Sequence, residues 1–251
     1  NGFNIIAFDT GFAGNMEVMY EVKGAGQYGI GSSGSGSADG WAYGKVFEQF
    51  FASGKDGEGF CRAVIAAYKE RYRGISGAEI TVCQLNKLEA VYEAYERMSK
   101  EVSEAIVNKP VAEKVKEIMT SHVREYRNSQ YPSDVYVDMK DSAKKFKAKA
   151  SELTADTGKQ QRIREAADSV VQAVQAAATS GWIEGIGEAG HLGIYLVQKA
   201  TAQAEEGAHE NGYIRGSGGA DQCTFVKKSE WWAVQAGKNK SVLDKIYYEY
   251  R

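Results

Sequence analysis

Six residues near the start of the sequence, Phe3-Asn4-Ile5-Ile6-Ala7-Phe8, form a short apolar run that stops at Asp9 and gives way to Thr10-Gly11. So short a run, closed by a polar and small-residue turn, reads as a buried strand rather than a helix. Helical spacing follows over Met16–Lys23, and a short strand over Gln27–Ser32. Asp9 and Gly11 therefore stand where a strand hands over to a helix. In open α/β sheets, ligands bind at such turns, outside the carboxyl ends of the strands. The ordinary explanation is also available: a tight turn that needs glycine, with Asp9 capping the helix. Residues 3–8 are apolar on both faces, so they read as a central strand with a neighbour on each side. A second chain or an upstream segment is expected to supply the missing neighbour. Asn1 in place of methionine, followed at once by a strand, suggests a fragment, because the ends of domains tend to be loose.

The alternation continues beyond this point. Ser32-Ser33-Gly34-Ser35-Gly36-Ser37-Ala38-Asp39-Gly40 is the most flexible composition in the chain. Amphipathic helices are expected over Gly44–Ser53, with Val46, Phe47 and Phe50 on one face, and over Gly59–Tyr72. Ala78–Leu85 is rich in β-branched residues and reads as a strand. Strand–helix alternation favours a mostly parallel sheet with helices on both faces. From Asn86, a candidate N-cap with Glu89 placed for a capping box, the pattern becomes helical. Helices are expected through Asn108, from Pro110 to about Asn128, over Lys140–Glu152 and over Arg162–Thr179, with Asp134–Asp138 extended. Leu192–Val197 returns to a strand, and a last helix includes Ser229–Gln235 with Trp231 and Trp232.

Composition removes several function classes. The chain has 251 residues, 43% of them hydrophobic and 25% charged, with a net charge of -2. That is enough apolar material for one large domain or two small ones. Near-neutral charge offers no electrostatic footprint for nucleic acid. No apolar run approaches the roughly 20 residues that span a bilayer. Cys61, Cys83 and Cys223 are too few and too far apart for a disulfide framework or a zinc site, and read as small buried hydrophobes. No cofactor is expected and no residue is singled out as a metal ligand. The lysines at 140, 144, 145, 147 and 149 read as a solvated helix face.

Four blocks, in order, resemble the clostripain family of cysteine peptidases. That family carries a strand ending in F-D-A-C-L-M-G-N and a helix beginning with an acid and a valine; this chain has F-D-T-G-F-A-G-N-M-E-V, with Gly11 on the cysteine. Its S-E-E…E-P-G-D-G-W block aligns without a gap on Ser32–Trp41, with Tyr43 on the aromatic that follows. Its V-D-L-Y-D-F-A helix start is similar to Val137–Ala143, and its S-G-L-S-I-Y strand to Gly190–Tyr195. A hydrophobic patch with a tryptophan follows, as in Phe225–Trp231.

The resemblance implies an α/β caspase-like core over 1–85, a helical elaboration over 86–180, and a return to the core over 181–251. It also implies a bacterial protein that is secreted or on the cell surface. The family's nucleophile is a thiolate activated by a histidine on an earlier strand. Gly11 has no side chain and can form no acyl-enzyme. His122, His191 and His209 all follow Gly11 and match no catalytic position. The family cleaves after arginine or lysine, and Asp9 and Asp39 fall on its acidic positions. Two converging carboxylates hold a guanidinium well, with Trp41 packed nearby to exclude water. The loop departs further, since the glutamates of S-E-E are replaced by Ser33 and Gly34, and E-P-G by Gly36-Ser37-Ala38. A natural pseudopeptidase that still binds Arg or Lys side chains of peptides is therefore the expected function. The alternatives are the heavy chain of an Arg/Lys-specific endopeptidase with an engineered substitution, or a structural or surface assembly protein.

Overall fold

The computed structural model describes residues 2–34, 36–53, 55–75, 78–120, 125–127, 135–182 and 192–196. In chain order these form β1 (Phe3–Ala7), α1 (Met16–Glu21), β2 (Gly26–Gly31), α2 (Tyr43–Ser53), α3 (Gly57–Arg71) and β3 (Glu79–Gln84). A single 3-10 turn, Leu85–Lys87, leads into α4 (Leu88–Ala105), α5 (Lys109–Thr120), β4 (Glu125–Arg127) and β5 (Val135–Asp138). The chain then forms α6 (Met139–Leu153), α7 (Thr157–Ala177), β6 (Ala178–Trp182) and β7 (Gly193–Leu196). Two compact units result, one of Asn1–Glu89 with Ala173–Ile194, the other of Ala90–Gln172 with Tyr195–Arg251.

The first unit is a mixed α/β layer whose sheet runs β1-β2-β3-β6. β1 and β2 are parallel, with Ile5 beside Tyr28 and Ala7 beside Ile30, because one helix separates them. β3 runs antiparallel to β2, and β6 antiparallel to β3. The sheet is thus mixed rather than mostly parallel. Two helices, α2 and α3, separate β2 from β3, and the second helix reverses the direction in which the chain re-enters the sheet. β3 is buried along almost its whole length and is paired on both sides. Ile30, Ile80 and Val82 of the sheet pack against Val46 of α2 and Cys61, Val64, Ala67 and Tyr68 of α3. Asp56 caps α3, accepting from Gly59 N at 2.6 Å.

β1 lies at the end of the strand order, paired on one side only, and Phe3 is 73% exposed. The central position expected of residues 3–8 is therefore not reached among the described residues. Two helix boundaries also differ from expectation. Glu89 closes no capping box with Asn86; both its oxygens accept from Tyr20 Oη, at 3.0 and 3.1 Å. The helix expected to reach Asn128 ends at Thr120, and Glu125–Arg127 pairs antiparallel with Val135–Val137.

In the second unit the helices show the 3–4-residue spacing of a one-sided core. Met98, Val102 and Ala105 of α4, Val115 and Ile118 of α5, and Phe146, Ala150 and Leu153 of α6 are buried. Asp138 caps α6 by accepting from Asp141 N at 2.7 Å, which fixes the Val137-Asp138 junction between strand and helix. The expected helix around Ser229–Gln235 lies outside the described residues.

Candidate functional site

The site is assembled where β1 ends. Phe8 N donates to Ile30 O at 2.8 Å, extending the β1–β2 pairing by one residue and leaving Asp9 exposed at the carboxyl end of the strand. The chain then turns over Thr10–Asn15. Phe12 adopts a left-handed conformation (φ 61°), uncommon for a non-glycine residue and found preferentially where function or tight packing demands it. Phe12 N donates to Gly34 O and Gly14 N to Ser32 O, both at 2.7 Å. Asn15 Nδ2 closes the turn on Phe12 O at 2.7 Å, and its Oδ1 makes no capping bond to α1. These bonds seat the turn against the loop that leaves β2.

That loop is anchored from below by a buried carboxylate. Glu79, 1% exposed at the start of β3, accepts from Ser33 N at 2.8 Å, and Ser32 Oγ donates to the Glu79 carbonyl at 2.6 Å. The loop then folds back over position 11. A Cβ added at Gly36 would stand 3.2 Å from Gly11 N, and Gly36 and Gly40 have φ of 69° and 61°. Both positions favour glycine for that backbone conformation, and Gly36 also for its close approach.

Past Gly40 the loop is tied to Asp9. Asp9 Oδ2 accepts from Trp41 N at 3.1 Å and from Tyr43 Oη at 2.8 Å. Hydrogen bonding to this carboxylate, helped by burial, raises the Tyr43 phenol above its usual value, so Tyr43 is a protonated donor at neutral pH. Trp41 is 8% exposed and its ring lies 6.1 Å from that of half-exposed Tyr43. Asp39 has a different partner. Its carboxylate faces solvent, and Arg71 Nη2 approaches Oδ2 to 3.8 Å.

Position 11, Asp9 and Trp41 are thus in one neighbourhood, with Asp39 joined to it through Gly40. Tyr43, Arg71, Tyr72 and Glu79 are the residues that sequence reasoning did not assign a role. Tyr43 carried a signal, as the aromatic two residues beyond the D-G-W block. Arg71 and Tyr72 carried none, because a basic residue in the last turn of a helix is expected from the helix dipole alone. Glu79 did carry one: an acid at the head of a strand otherwise reading as buried.

Cys61 and Cys83 are buried free cysteines, and burial pushes both thiols up to about 12. Neither forms a thiolate near neutral pH. Cys223, His122, His191 and His209 lie outside the described residues. Among the described residues no group of three or more His, Cys, Asp or Glu could hold a metal ion. No helix among them is long and apolar enough to cross a membrane.

Comparison with solved structures finds the same fold in bacterial cysteine peptidases. A cysteine protease of B. fragilis superposes with a TM-score of 0.52 at 18% identity, covering 100% of this chain and 91% of that one. An inactive zymogen C11 protease from Parabacteroides distasonis gives 0.55 at 16% identity, covering 91% of this chain and 59% of its own. A secreted C11 cysteine protease from Bacteroides thetaiotaomicron, solved with an irreversible peptide inhibitor, gives 0.50 at 14% identity, covering 92% and 60%. This chain therefore spans about three fifths of the latter two proteins. Comparison with curated protein sequences found no match. The sequence profile described as the clostripain family matches residues 1–231, and with that span the chain belongs to the clostripain family, on a caspase-like scaffold.

Proposed function

We propose that this chain is a pseudopeptidase: a clostripain-family scaffold without proteolytic chemistry that still receives basic side chains of peptides. The observation that carries the reading is glycine at position 11, in the turn at the carboxyl end of β1, beneath the loop bearing Asp39 and Trp41. Peptide hydrolysis of this type needs a thiolate that attacks the carbonyl and expels the amine, giving a thioester acyl-enzyme that water then hydrolyses. Glycine offers no sulfur, and the described cysteines are too deeply protonated to replace it. Asp9 gives the negative charge for a cation, Trp41 and Tyr43 flank it, and Asp39 stands next along the loop. The altered loop, with Ser33 and Gly34 on two of the family's glutamate positions, supports a natural loss rather than one isolated substitution.

The same reading assigns the free edge of β1 to an upstream segment or separate N-terminal chain. Phe3, exposed on that strand, offers apolar surface that a further strand would cover. One structural neighbour is described as secreted, and we place this chain outside the cytoplasm on that ground.

Gly11→Cys, made in the protein with any upstream segment it carries, tests the reading. Cleavage of Arg- and Lys-containing peptides is expected to stay at background. The new thiol should be alkylated with the pH profile of an unassisted cysteine, near the ordinary value of about 8.5. Robust cleavage, together with rapid alkylation at acidic pH, would show that a base and pocket persist and would overturn the pseudopeptidase.

A further inference from the structure

A guanidinium of this chain already stands beside the acid at position 39. Arg71, the last residue of α3, brings Nη2 to 3.8 Å from Asp39 Oδ2 and donates to the Asp39 carbonyl oxygen at 3.3 Å. Its Nε donates to Tyr72 Oη at 3.2 Å, and its guanidinium carbon lies 5.6 Å from the centre of the Tyr72 ring. Tyr72 Oη in turn donates to Gly40 O. Charge alone would hold so exposed a pair weakly. Here a backbone carbonyl, a hydroxyl and an aromatic ring orient the guanidinium as well.

Asp9 is half engaged. Its Oδ2 takes both Trp41 N and Tyr43 Oη, and no described residue donates to Oδ1. What remains for a ligand is one acceptor oxygen beside the exposed ring of Tyr43. A guanidinium is a planar fork that binds best to two free oxygens, whether on one carboxylate or on two. An ammonium is a compact point charge with three rotatable donors, and one oxygen suffices to receive it. Its aliphatic stem can lie along an aromatic face while the charged head reaches the acceptor.

We infer that Arg71 is a specificity-determining residue: it occupies Asp39, leaves Asp9 to receive the incoming cation alone, and so selects a lysine over an arginine side chain. The inference rests on the basic-side-chain reading above and assigns its preferred substrate class. Asp39 then takes part in ligand binding only when Arg71 is removed.

The test measures binding of one fluorescent peptide in four forms, carrying lysine, arginine, acetyl-lysine or citrulline at a single position, at low ionic strength. Wild-type protein is expected to bind the lysine form about threefold or more tightly than the arginine form, and both neutral forms at least about tenfold more weakly. Arg71→Gln frees Asp39 and should strengthen the arginine form by about tenfold, while changing the lysine form by less than about threefold. The double variant Arg71→Gln/Asp39→Asn should lose that gain. Arg71→Lys keeps the charge at the end of α3 without the fork, and guards against a merely structural effect; it should give an intermediate gain. If arginine binding does not change in Arg71→Gln, or the gain survives in the double variant, Arg71 does not set specificity. If no variant prefers a basic peptide over its neutral form, the basic-side-chain reading is overturned and this inference falls with it.

Discussion

Gly14→Ala is expected to destabilise the first unit by about 3 kcal/mol, read as a lower urea midpoint at unchanged slope. The cause is a contact between two backbones. A Cβ at Gly14 would stand 2.7 Å from each of Gly31 O, the Ser32 carbonyl carbon and Ser33 N. None of these atoms can rotate away, so the end of β2 or the turn after β1 must shift. The same contact carries Gly14 N→Ser32 O at 2.7 Å and Ser33 Oγ→Gly14 O at 2.8 Å, and a shift lengthens both. Gly24→Ala is the control, because a Cβ there meets nothing within 4 Å; it should stay within about 0.5 kcal/mol of wild type. Equal, small effects at the two positions would mean that the turn and the strand end are not packed together.

The periodic elements were visible in the sequence, and those made by pairing alone were not. β1, β2, β3, α2, α3 and α6 each lie close to their expected spans, because a short apolar or β-branched run or helical spacing marks them. β6 was hidden. Ala178-Thr179-Ser180-Gly181-Trp182 has no strand signature, and the residues before it are strongly helical. It becomes a strand because β3 is buried, and the outward amides and carbonyls of a buried strand need partners. Cys83 beside Ala178 and Glu79 beside Trp182 mark that register. The direction of β3 was equally out of reach of local pattern, since it depends on two helices preceding the strand instead of one.

The site divides in the same manner. The residues at Asp9, Gly11, Asp39 and Trp41 could be picked out because a family pattern passes through them. What each carboxylate does depends on partners scattered along the chain. The Asp9 carboxylate is bound by Trp41 N and Tyr43 Oη from more than 30 positions away, and Arg71, 32 positions on, approaches the Asp39 carboxylate to 3.8 Å. An aspartate before glycine looks the same in sequence whether its charge faces a ligand or an arginine of its own chain. Only the placement of the α3 end beside the 36–41 loop distinguishes the two.

Glu79 provides the second large expected effect and links stability to the site. Its carboxylate is 1% exposed and receives Ser33 N at 2.8 Å, while Ser33 Oγ lies 3.4 Å from Thr81 Oγ1 and bonds the Gly14 carbonyl. Glu79→Ala removes the acceptor, leaves a buried amide unpaired and opens a void under the loop. Each buried, unpaired polar group costs about 1–3 kcal/mol, and the void adds to it, so a loss of about 3 kcal/mol is expected. Glu79→Gln keeps an oxygen where Ser33 N needs one and nearly the same volume; its loss should be about half as large. The effect should also travel along the loop. With Ser33 released, hydrogen exchange at its amide should accelerate, and Trp41 emission should shift to the red as the 36–41 segment loosens from Asp9. Alanine and glutamine variants with equal losses would show that the bond to Ser33 is not what the carboxylate contributes. An unchanged Ser33 amide in the alanine variant would show that the loop is anchored from elsewhere, and that the site does not depend on the acid beneath it.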